Sequence, residues 1–127
     1  MSDPVEVRAK LDEYAQELDR QSRELGQVEQ TLGGANNVVG VETQYEKWID
    51  DFEVGLWQAH QDGAKLPGVE MRGRLARKQM PPELLGNYVT LIAQRKRLEK
   101  RIGTLKVMVD AQRSILSALK SELEAVS

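Results

Sequence analysis

The residues able to do chemistry in this chain of 127 residues are few and scattered. His60 is the only histidine, set in Gln58-Ala59-His60-Gln61-Asp62. A catalytic or metal-binding histidine needs a base partner or further ligands, as in Glu-x-x-His or His-x-x-x-His. Neither pattern occurs, so His60 reads as a surface or helix-end residue. Glu42, Glu46 and Asp50 are spaced by four, with Asp51 and Glu53 following. At that spacing carboxylates form one solvated stripe along a helix and do not converge on a cation. Ser114, Ser117 and Ser121 have no histidine near them and no nucleophile elbow. Gly33-Gly34 lacks both the Gly-Lys-Ser and the preceding strand of a phosphate loop. The expectation is a protein that is not an enzyme, with no catalytic residue, metal ligand or cofactor.

Two groups of side chains suit binding better. Arg72, Arg74, Arg77 and Lys78 make one basic stretch, and Lys96, Arg97, Lys100 and Arg101 make a second. On one exposed side of a helix they would meet phosphates, which makes residues 72–106 a candidate nucleic-acid footprint. The competing reading is that these charges solvate their helices and answer the acidic helix around Asp50. No aromatic interleaves with them, so stacking on single-stranded bases is not supported. The other group is aromatic: Trp48 and Trp57 share residues 38–61 with the only phenylalanine. Trp57 falls one step off the apolar stripe Val41, Tyr45, Trp48, Phe52 and Leu56. It is either a partner-binding anchor, with Trp48 and His60 beside it, or a cap on a core.

The elements that must position these groups are helices. From Pro82 to Val126 the residues at alternating steps of four and three are Leu84, Tyr88, Leu91, Arg95, Leu98, Ile102, Leu105, Val109, Gln112, Leu116, Leu119, Leu123 and Val126. Eleven of these thirteen are apolar, and the seam never stutters. The helix this predicts would be about 67 Å long at 1.5 Å per residue. An earlier helix opens with Asp3 as cap, Pro4 at the first turn and Glu6 three residues after the cap. Its own seam is Val7, Leu11, Tyr14, Leu18, Gln21, Leu25, Val28 and Leu32, and it stops at Gly33-Gly34-Ala35-Asn36-Asn37. Folded antiparallel with Val7 opposite Val126, the two seams place their polar members Gln21 and Gln112 in one layer, which would fix the alignment. A homodimer of the long helices could use Gln112 instead.

Residues 69–80 read as a short basic helix weakened by Gly73 and broken by Pro81-Pro82. It and the tryptophan helix are expected to pack on residues 82–101, where Leu85, Val89 and Ile92 widen the apolar face. Arg95 would lie there, within reach of Asp50, Asp51 or Glu53. The architecture expected is all-α: a single elongated domain, residues 1–127, with a long antiparallel helical hairpin as stalk and a small helical head at 38–80.

Composition agrees with a thin helical protein, since aromatics are 5% and charged residues 30% of the chain. The net charge of −2 hides a division. Residues 1–64 hold 5 basic and 14 acidic side chains, whereas residues 65–106 hold 11 basic and 3 acidic. Such a split means that the two parts face each other or that one binds a polyanion. Zero cysteines suit a reducing compartment. No apolar run approaches the ~18 residues of a membrane span, and the acidic start is no signal peptide. A soluble, cytoplasmic protein is expected.

The segment Ala111-Gln112-Arg113-Ser114-Ile115-Leu116-Ser117-Ala118-Leu119-Lys120-Ser121-Glu122-Leu123 adds a resemblance. So does the order of helix, acidic tryptophan helix, glycine loop, basic turn and long helix. Over residues 38–123 the chain resembles small coiled-coil proteins of tailed bacteriophages of actinobacteria and other hosts, often encoded near recombination or replication genes. The resemblance implies a phage protein in the bacterial host cytoplasm, an accessory to DNA transactions or a binder of a host protein; the function expected is a non-catalytic coiled-coil interaction protein that self-associates and binds a host or phage protein. The alternative it leaves open is a nucleic-acid-binding accessory factor.

Overall fold

A computed structural model describes residues 3–35 and 37–126. The fold is all-α. Among the described residues four helices, α1 (Pro4–Gly33), α2 (Val41–Gln61), α3 (Val69–Gln79) and α4 (Pro82–Val126), are accompanied by a two-stranded ribbon of β1 (Gly34–Ala35) and β2 (Val38–Val39). Among the described residues no helix is long and apolar enough to cross a membrane. The contacts divide the chain into two compact units, residues 1–27 with 95–127, and residues 28–94.

In the first unit, α1 starts where its capping signal lies. Asp3 Oδ1 accepts the Val5 N–H at 2.9 Å, satisfying one of the donors that a helix start leaves open. Both seams appear as burial. Val7 is buried and Leu11, Tyr14, Leu18, Gln21 and Leu25 are half-buried. On α4, Leu98, Ile102, Leu105 and Val109 are buried, with Gln112, Leu116 and Leu119 half-buried. Pro4 and Arg8 share a cleft with Leu116, Leu119 and Leu123, and Tyr14 and Glu17 share another with Arg101 and Leu105.

The register differs from the expected one. Val7 is 4% exposed while its expected partner Val126 is 88% exposed and Leu123 is 67% exposed. Pro4 and Arg8 share their cleft with Leu116 to Leu123, and Glu17 shares its cleft with Arg101 and Leu105, all nearer the start of α4 than the pairing of Val7 with Val126 would put them. The reason is physical: a seam that repeats every seven residues offers apolar to apolar after any seven-residue slip, so periodicity alone does not select among registers. In the observed one Glu17 comes level with the cation Arg101.

In the second unit the chain turns sharply after α1. Gly34 has φ 88° and Asn37 φ 67°, the left-handed region that the Gly-Gly-Ala-Asn-Asn sequence favours. The segment expected to be only a helix stop also forms a ribbon, with Gly34 opposite Val39 and Ala35 opposite Val38, so α2 begins at Val41. Gly40 lies so close to the end of α1 that a Cβ there would stand 2.2 Å from the Leu32 carbonyl oxygen. Downstream, Tyr45 of α2 stacks on Tyr88 of α4 with centroids 3.8 Å apart and planes at 9°. The expected packing of the tryptophan helix on the start of α4 is made through this pair. Among the described residues of this unit Val28, Leu32, Ala76 and Met80 are the buried hydrophobic ones.

Candidate interaction surface

The α2 stripe is inward as its spacing requires: Val41, Tyr45, Trp48, Ile49, Phe52 and Leu56 are all at least half-buried. Trp48 therefore belongs to the joint between α2 and α3. Its indole Nε1–H donates to the Ala76 carbonyl at 3.0 Å, and the small, buried Ala76 lets the ring approach the α3 backbone that closely. The expectation that Trp48 faces a partner gives way to this packing role. An indole whose one donor is engaged in the joint is not free to anchor a ligand.

Trp57, one step off the stripe, is 46% exposed. Its surroundings hold it. The Arg72 guanidinium of α3 stands over the indole at 5.9 Å from the ring centroid, within cation–π range. The His60 ring meets it edge-on at 6.0 Å. Arg72 is itself fixed: Nε donates to Glu53 Oε1 at 3.1 Å and Nη1 to the Pro67 carbonyl at 2.9 Å, with 16% of its side chain exposed. His60 Nδ1 lies 2.9 Å from the Ala64 carbonyl, an acceptor to which an Nδ1–H would donate. The result is a half-exposed indole flanked by a cation and an imidazole; Val54 on α2 and Val69 and Met71 on α3 are also exposed.

By sequence Arg72 groups with the phosphate-binding cations. The structure places it instead at the α2–α3 joint, where it takes Glu53, one of the acids expected within reach of Arg95. The other basic residues are differently placed. Arg74, Arg77 and Lys78 on α3, and Lys96, Arg97, Lys100 and Arg101 on α4, are all exposed. Among the described residues none of these seven lies within ion-pair distance of a carboxylate. Only Arg72 of the set answers the acidic helix.

Gln21 and Gln112 are both half-buried but do not share a layer. The Gln21 amide donates to Glu17 Oε1 at 2.8 Å within its own helix. Gln112 lies about three turns of α4 beyond Arg101, the level that Glu17 faces. Glu17 also accepts from Arg20 at 2.6 and 2.7 Å. The Arg20 hydrogen bond first, then that of Gln21, holds the Glu17 carboxyl below the ordinary carboxylate range. The signal for this pairing was present in the sequence as Glu17–Arg20 at i,i+3.

Among the described residues no group of three His, Asp or Glu side chains converges as a metal site would need. Compared with protein-family models, curated proteins and solved structures, the chain matches none.

Proposed function

We propose that this chain is a non-catalytic interaction protein that grips a protein partner at the Trp57 corner of α2 and α3. The observation that carries the reading is a large aromatic left 46% exposed yet clamped by Arg72 and His60. Surface tryptophans held in this way are the kind of residue on which binding energy concentrates. The resemblance to bacteriophage coiled-coil proteins supports a host or phage protein as partner and the bacterial cytoplasm as its place of action. In this reading α1 and α4 form an antiparallel coiled-coil stalk. Affinity capture from bacterial cells with wild-type and Trp57→Ala chains tests the proposal. The expected outcome is one protein retained by wild type and absent with the variant. Equal retention by both would sink it.

Self-association is the second reading, favoured by one observation. α4 leaves its last two seam residues, Leu123 at 67% and Val126 at 88%, exposed side by side, apolar side chains a second copy would cover. Light scattering of the purified chain is expected to report a dimer. A mass near 14.3 kDa across micromolar concentrations would contradict it.

A further inference from the structure

Arg95 to Lys106 of α4 hold six basic residues and one acid, Glu99. Their placement on the helix is uneven. Leu98, Ile102 and Leu105 are buried, so at 3.6 residues per turn Lys96 and Lys100 form a row on the opposite, solvent side, with Arg97 in the row beside it. All three are exposed and none lies within ion-pair distance of a carboxylate among the described residues. Their neighbours on that face are short. Ala93 precedes them, Gly103 has open space where a Cβ would be, and the Thr104 hydroxyl folds back to donate to the Lys100 carbonyl at 3.1 Å. The cationic heads are therefore the first groups a flat or convex ligand meets. Arg101 sits at the edge of this face, beside Glu17 and Arg20.

We propose that this face of α4, centred on Lys96, Arg97 and Lys100, binds the phosphate backbone of duplex DNA. The chemistry selects that ligand. A duplex carries one negative charge per roughly 1.7 Å of axis, so two rows of cations find phosphates in any register without a shaped pocket. A protein partner would need an apolar or aromatic anchor between the charges. The nearest exposed large apolar side chains on the face, Val89 and Val107, lie a heptad beyond Lys96 and Lys100. Single strands are held by aromatic stacking, and no aromatic lies between residues 95 and 106. The major groove of B-form DNA admits a helix, whereas that of A-form RNA is too narrow for side chains to enter.

The test is fluorescence anisotropy of a labelled DNA duplex of about 30 base pairs with the full chain, titrated at several KCl concentrations. Three phosphate contacts predict log K falling against log salt with a slope of about −3. Lys100→Gln should lower the slope by about one. The triple variant K96Q/R97Q/K100Q should lose at least tenfold in affinity at about 50 mM KCl, with circular dichroism unchanged. Trp57→Ala should bind DNA as wild type does. Three results would each overturn the proposal: no binding at low salt, a triple variant that binds like wild type, or loss on R74Q/R77Q/K78Q instead. Equal competition by polyglutamate or by an RNA duplex would overturn the choice of ligand.

Discussion

Arg72 has three interactions at once: an ion pair with Glu53, a hydrogen bond to the Pro67 carbonyl and a cation–π contact with Trp57. Truncating it leaves the Pro67 carbonyl without this donor and opens one side of the indole. Arg72→Ala is expected to cost about 1–3 kcal/mol in urea unfolding. Trp57 fluorescence should shift to the red as the ring loses its cover. A change below about 0.3 kcal/mol would show that the joint does not depend on this residue. Sequence could not single Arg72 out. It stands in the same run as Arg74, Arg77 and Lys78, and only the fold shows that its side of α3 faces α2. Trp57 was more legible, because its step off the α2 stripe follows from helical spacing alone. Trp48 stands on the apolar stripe yet was expected beside a partner, because its bond to Ala76 depends on a small residue 28 positions away, which no local pattern reveals.

At the scale of elements, helix starts and periods were readable because they rest on local chemistry: the Asp3 cap, proline at the first turns of α1 and α4, and apolar residues recurring at three and four. The turn after α1 was readable only in part. Its left-handed residues were expected from Gly and Asn, but the ribbon was not, since a pairing of two residues against two has no sequence signature. Gly40 is the residue this turn most depends on. Its φ of −68° suits any amino acid, so the constraint is space: backbone atoms of Leu32, Gly33 and Gly34 lie within 2.5 Å of where a Cβ would stand. Gly40→Ala must push the start of α2 off the end of α1 and is expected to destabilise by about 2–4 kcal/mol, seen as a lowered thermal midpoint. An unchanged midpoint would mean that the turn yields freely. Register was the least readable property of all, because two heptad seams accept each other after any seven-residue slip.

For the molecule as a whole, the charge division between residues 1–64 and 65–106 was the most informative total. It posed a choice between acids and bases that answer each other and a surface for a polyanion. The ion pairs Arg20–Glu17, Arg23–Asp19 and Arg113–Asp110 are each local to one helix. The Glu53–Arg72 pair joins the acidic helix to the short basic one. Most of the positive charge is left facing solvent, which no count of residues could have told. The charge total does not speak to the Trp57 corner, where the reading of this chain as an interaction protein rests. The most direct test is the affinity of the captured partner for wild-type and Trp57→Ala chains, measured by titration calorimetry with helical content matched. The account predicts a loss of about thirtyfold or more, equivalent to the ~2 kcal/mol of an interface hot spot. Affinities within about twofold of each other would contradict it.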